Sequence, residues 1–176
     1  MKKIAVFGGS TSKTSINKKL ATFAGNLLQD TAFIVLDLNN YEVPVFSVDL
    51  EEEEEYPIGA KKFNEQLDIY DGFIVSLAEH NGTYTAAFKN LFDWASRKNK
   101  KVFRDKPVLL MATSPGAKGG ASVLNFAKLS FPILGAKIES TFSLPSFNEN
   151  FKKEVITDKD FLNQLKEAVK QFEKSL

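Results

Sequence analysis

Between Gly8 and Asn17 the chain reads GGSTSKTSIN, with five hydroxyl side chains in the six positions from Ser10 to Ser15. An apolar run, Ile4 to Phe7, stands before it, and a helical pattern follows. Strand, glycine-rich loop and helix start, in that order, suit a phosphate monoester. The helix N-terminus supplies unpaired N–H groups and the positive end of a dipole, and the hydroxyls add donors. Gly8 and Gly9 are read as ending the strand. The loop is neither GxxxxGK[ST] nor GxGxxG, so it is not a nucleoside-triphosphate or dinucleotide fingerprint. Taken alone it reads as readily as a glycine turn with hydroxyl capping.

Two other stretches have the same character. Ala78 to Tyr84 reads AEHNGTY, in which the Asn81-Gly82 pair predicts a tight turn. Such a turn presents backbone N–H and C=O groups to a flat heterocycle, or serves only as a connection. Ser114 to Gly120 reads SPGAKGG, where the glycines allow a ligand to approach the backbone, or simply start a helix. The lone histidine, His80, has no GxSxG elbow to serve as a hydrolase base.

These stretches must be held by the elements between them. Strand-length apolar runs fall at 2–7, 32–36, 72–77, 107–113 and from 136 onward, and amphipathic helical patterns at 15–28, 59–68, 85–96, 120–134 and 158–174. That alternation predicts an α/β fold: a five-stranded parallel sheet of order 2-1-3-4-5 with helices on both faces, the flavodoxin-like arrangement. Ligands in such sheets bind beyond the carboxyl ends of the strands, at the switch point between strands 1 and 3. The loops after strands 1, 3 and 4 are then one composite site. Residues 37–56, with the acidic run Glu51 to Glu55, read as a solvated connection, and the six basic residues of Arg97 to Lys106 as a helix end and turn.

Composition narrows the function. A chain of 176 residues with 43% hydrophobic content and 16 phenylalanines predicts one domain, 1–176, with a full core. The net charge of +1 argues against a nucleic-acid partner. No cysteine and one histidine leave no basis for thiol chemistry or a zinc site. No apolar run reaches the ~18 residues of a membrane span, and a strand begins near the first residue, so a cytoplasmic protein without a signal segment is expected.

The ordered combination of the three loops resembles the NAD(P)H-dependent FMN reductase family, a flavodoxin-like group of quinone, azo-dye and chromate reductases, over roughly residues 1–150. GSTSKTSIN (9–17) is similar to its phosphate loop, AEHNGTYTAAFKNLFDWAS (78–96) to the segment that usually opens Pro-Glu-Tyr-Asn, and KPVLLMATSPGAKGG (106–120) to its third segment. The resemblance implies that Ser10, Ser12, Ser15, Ile16 (through its backbone) and Asn17 hold the FMN phosphate. It implies that Glu79, His80, Asn81 and Gly82 meet the isoalloxazine largely through backbone, with Ser114, Gly116, Gly119 and Gly120 completing the pattern. The chain differs from the family at Ser12, where Arg is usual, at Ala78 (Pro) and at His80 (Tyr). Implied with the family are NADPH or NADH as cosubstrate, a small-molecule electron acceptor, no catalytic side chain, and a homodimer or homotetramer to which residues 85–96 contribute. A non-enzymatic electron carrier of flavodoxin type and a flavin-free binding domain are the alternatives.

Overall fold

The computed structural model describes residues 1–176. Five strands, β1 (Lys3–Gly9), β2 (Ala32–Val35), β3 (Gly72–Leu77), β4 (Lys106–Thr113) and β5 (Ala136–Leu144), form one sheet. Their order is β2-β1-β3-β4-β5 and every pairing is parallel. The predicted flavodoxin-like architecture is therefore the observed one.

Alternation along the buried strands builds two cores. Ala5, Phe7, Phe73, Val75, Val108 and Leu110 face one side. There they meet α3 (Ile58–Ile69), α4 (Ala86–Lys98) and α5 (Ala121–Ser130). Ile4, Val6, Ile74, Leu109 and Met111 face the other, under α1 (Ile16–Gly25) and α7 (Lys159–Lys174). Crowded phenylalanines fill the first core: Phe88 and Phe92 lie 4.2 Å apart, Phe103 and Phe131 4.6 Å.

Several local expectations are corrected. Gly8 and Gly9 do not end β1; they continue it, pairing with Ser76 and Leu77 of β3. α1 stops at Gly25, three residues early, with Asn26 as its C-cap; Gly25 itself lies against the Phe33 ring of β2, where a Cβ would stand 2.9 Å away. α5 stops at Ser130 rather than near Leu134, and residues 131–135 form turns in which Leu134 N–H donates to Phe131 C=O and Gly135 N–H to Pro132 C=O. The connection after β2 is structured: a single 3-10 turn (Leu38–Asn40) and α2 (Val48–Glu53). Glu51 in α2 pairs with Arg97 of α4 at 2.7 Å, so the acidic and basic runs meet. Past β5 lie α6 (Phe147–Asn150) and a hairpin of β6 (Phe151–Lys152) and β7 (Val155–Ile156), neither of which the sequence pattern announces. No helix is long and apolar enough to cross a membrane.

Candidate functional site

The open end of β1 is built for close approach. A Cβ on Gly8 would sit 2.5 Å from the Lys18 backbone nitrogen, so glycine there lets α1 cross directly behind the strand. Ser15 caps α1, its hydroxyl accepting from Lys18 N–H at 3.1 Å. The N–H groups of Ile16 and Asn17, in the same first turn, take no backbone bond. Thr11, Ser12, Lys13 and Thr14 are exposed above them. Ser10 Oγ accepts from Ser12 N–H at 3.1 Å, and the Ser12 and Thr14 hydroxyls lie 3.5 Å apart. Lys18 is turned away to Asp37, at 2.7 Å. The Lys18 ammonium, helped by the Asn39 N–H, holds the Asp37 carboxyl below its ordinary range.

The Asn17 side chain lies inside the fold at the start of α1. It is buried and bonded within the chain. Oδ1 accepts from Ser76 Oγ at 2.7 Å and from Thr113 N–H at 3.0 Å, while Nδ2 donates to Thr113 C=O at 3.1 Å. The amide thus fastens the first turn of α1 to the ends of β3 and β4, and the backbone N–H of Asn17 is left without a partner in the chain. Ser76 and Thr113 were not singled out from sequence. The available signal was a polar residue near the carboxyl end of each buried apolar strand.

The second loop is a two-residue hairpin. His80 and Thr83 exchange backbone bonds at 3.0 and 3.1 Å, with Asn81 at φ 52° and Gly82 at φ 83°. Those paired positive angles are the turn that Asn-Gly favours. A Cβ on Gly82 would meet nothing within 4 Å, so this tip stands clear of the rest of the chain. His80, Asn81 and Gly82 are exposed. Glu79 reaches sideways, accepting from Val123 N–H at 3.0 Å. It supplies the cap that Gly120, without a side chain, leaves missing on α5. Thr85 caps α4 and donates to Gly9 C=O at 2.9 Å, tying the first loop to the second.

The third loop is anchored from below. Ser114 C=O accepts from Phe147 N–H at 3.0 Å and Gly116 C=O from Ser146 N–H at 2.9 Å. Gly116 is exposed, and a Cβ there would meet only Ser114 Oγ, at 3.9 Å. Gly119 faces inward instead: it is buried at φ 58°, and a Cβ would lie 2.5 Å from Ser143 Oγ. Of the residues singled out, Ser10, Ser12, Glu79, His80, Asn81, Gly82, Ser114 and Gly116 are exposed or half-buried on the loops of this edge. Ile16 and Asn17 offer backbone N–H groups, Ser15 is taken up as the helix cap with its own N–H on Ser12 C=O, and Gly119 supports the loop from behind.

The residues present fit an aromatic phosphate such as FMN. Two free N–H groups at the positive end of α1 and a ring of hydroxyls match a dianion. The Gly82 and Gly116 tips leave room for a flat ring to meet backbone.

The same fold recurs in an NAD(P)H:(acceptor) oxidoreductase flavoenzyme, FerB, from Paracoccus denitrificans, with a TM-score of 0.79, 24% identity, and 99% of this chain and 97% of that one covered. An azoreductase from Bacillus anthracis superposes with a TM-score of 0.67 at 17% identity, over 99% of this chain and 100% of that one. In sequence, a 2-hydroxy-1,4-benzoquinone reductase from a Burkholderia species is 35% identical over 121 residues, 68% of this chain. A quinone reductase from Escherichia coli is 32% identical over 80 residues, 46% of this chain. The chain spans 64% of the length of the first and 43% of the second. The family model for NADPH-dependent FMN reductases matches residues 2–149, and the chain belongs to that family.

Proposed function

We propose that this protein binds FMN at the carboxyl edge of its sheet and uses NADPH or NADH to reduce a quinone, azo compound, free flavin or similar small acceptor. The observation that carries the reading is the pair of free N–H groups at Ile16 and Asn17 beneath a hydroxyl-rich loop, at the β1/β3 switch point. FMN, when bound, supplies the hydride and electron chemistry. The chain's part is to hold and orient. Ser10, Ser12 and the first turn of α1 take the phosphate. The Glu79–Gly82 turn, Ser114 and Gly116 lie along the ring, where backbone N–H groups favour negative charge on its polar edge. Gly119 and the Asn17 amide keep these groups in place. For a quinone the balance is NAD(P)H + H⁺ + quinone giving NAD(P)⁺ + hydroquinone, with no acid or base demanded of a side chain.

The same reading takes the protein as a cytoplasmic homodimer or homotetramer. Exposed Phe126, Leu129 and Ile133, spaced along α5 and the turn after it, support self-association. Light scattering coupled to size exclusion checks the oligomer. The function is tested by loading the protein with FMN and adding NADPH or NADH without oxygen. Rapid bleaching, and its reversal by a quinone, is the expected result. Bound flavin that neither nucleotide reduces points to an electron carrier instead, and failure to bind flavin to a flavin-free domain.

A further inference from the structure

We propose that the β6–β7 hairpin tunes the charge at the phosphate end of α1: Lys153 adds a cation there, and Glu154 holds Lys19 back. The ligand it acts on is a phosphate monoester dianion, and this rests on the flavin reading above. The first loop has little fixed charge of its own. It carries Ser12 where Arg is usual, and Lys18, in the first turn of α1, is taken by Asp37. That leaves Lys13, exposed in the loop, and Lys19, in the same first turn.

The hairpin lies against α1 with its tip toward that end. Phe151 meets the Phe23 ring edge-on at 5.7 Å, and Glu154 reaches Lys19 at 3.5 Å. Lys19 is one turn nearer the helix start than Phe23, so the strand pair points its turn toward the N-terminus. Lys19 stands two residues beyond Asn17, roughly 3 Å further along the axis. Phe151 and Ile156 pair across the hairpin and are buried. Alternation turns Lys152 and Val155 to the opposite, exposed face, which leaves Lys153 and Glu154 as the charges of the tip. The base is tied to the third loop: Phe147, stacked on Phe151 at 4.7 Å, donates its N–H to Ser114 C=O. The segment thus runs from one loop of the site to the helix that starts at another.

The turn is costly as built. Lys153 and Glu154 take φ 50° and 61°, angles that Asn and Gly hold with little strain. A turn kept for stability alone would carry those residues. The two charges present act on the helix end in opposite senses. Lys153 favours a dianion there. Glu154 disfavours it and engages Lys19 through an exposed contact that water screens, so a stronger anion can draw Lys19 away.

The test measures FMN and riboflavin affinity side by side in flavin-free Lys153→Asn and Glu154→Gly. Both variants place residues that this turn prefers, so neither should unfold at lower urea concentration than the wild type. A lower midpoint in both gives these residues to the fold and overturns the proposal. At low salt Lys153→Asn is expected to lower the preference for FMN over riboflavin by about two- to fivefold, and Glu154→Gly to raise it by a similar factor. Both changes should fade at about 0.5 M salt. A role confined to shaping the turn moves the two variants in the same direction, which also overturns the proposal. Two sources present the dianion, FMN itself and the 2′-phosphate of NADPH. A constant flavin preference, with the ratio of kcat/KM for NADPH over NADH shifting in the same opposed senses, assigns the hairpin to the cosubstrate. Neither ratio moving in either variant, in a protein that still prefers FMN to riboflavin, removes the hairpin's part alone. A wild type that binds FMN and riboflavin equally removes the phosphate site itself.

Discussion

The two edges of the sheet are built from similar polar material and use it in opposite ways. At the amino edge several charges are spent inside the chain. Asp71 accepts from Lys3 N–H at 2.9 Å and from Lys2 Nζ at 3.3 Å. Lys106 Nζ donates to the carbonyls of Leu67 and Asp68 at the end of α3. Arg104, its side chain only 9% exposed, reaches Asp68, Asn64 and the carbonyl of Val102. Glu173 gathers the N–H groups of Gln29 and Asp30 and the Thr31 hydroxyl. At the carboxyl edge the N–H groups of Ile16 and Asn17 stay free, and the bonds at Asn17, Glu79 and Thr85 hold loops rather than closing them. One edge stabilises; the other is kept available. Stability and ligand affinity should therefore separate when each edge is altered.

The largest effect is expected where the two roles meet. Asn17→Ala leaves the Ser76 hydroxyl and the Thr113 N–H without their buried acceptor. It should cost about 3 kcal/mol of stability in the flavin-free protein, read by urea unfolding, and also weaken FMN. Ser76→Ala should weaken FMN in the same direction but less, although Ser76 is buried beneath the loops; an FMN affinity unmoved by Ser76→Ala would return the Asn17 side chain to direct phosphate contact. Next, Arg104→Ala should cost about 2 kcal/mol with flavin affinity little changed. A matching loss of FMN affinity would break the division between edges. Smaller again, Ser12→Arg adds the charge that the family usually carries here and should tighten FMN by about three- to tenfold without altering riboflavin binding.

The smallest effect is a pH dependence confined to the amino edge. The Lys3 N–H, with Lys2 beside it, holds the Asp71 carboxyl below its ordinary range. Burial pushes Glu173 up, but the Thr31 hydroxyl and the Asp30 and Gln29 N–H groups outweigh it and leave that carboxyl lowered as well. A depressed folded pKa gives stability that is present above the ordinary carboxylate range and is lost as pH falls through the folded value. Unfolding midpoints should fall below about pH 4, and Asp71→Asn with Glu173→Gln should flatten that fall. An unaltered acid limb in the double variant would remove these two carboxylates from the account.

The same turn appears twice, and only one copy was legible in the sequence. Asn81-Gly82 and Lys153-Glu154 both take two consecutive positive φ angles, 52° and 83° in the first, 50° and 61° in the second. Asn and Gly adopt them at little cost, so the first is readable; Lys and Glu do not, so the β6–β7 hairpin carried no signal. Sheet order and the meeting of three loops followed from the rhythm of apolar runs, a local property. The Glu51–Arg97 pair, the Asn17–Ser76–Thr113 bonds and the Glu79 cap on α5 are contacts between distant residues, and no local pattern specifies them. Gly8 shows the limit within a single motif. Its lack of a side chain was read as freedom to turn, whereas the structure uses it for room, in an unbroken strand.

The central claim is that the free donors above α1 hold a phosphate dianion. Equilibrium binding of FMN and of riboflavin to the flavin-free wild-type protein tests it directly, since the two ligands differ only by that phosphate. FMN should bind at least about a hundredfold more tightly, the contribution of two charge-assisted hydrogen bonds. Equal affinities would contradict the phosphate site and, with it, the functional division between the two edges.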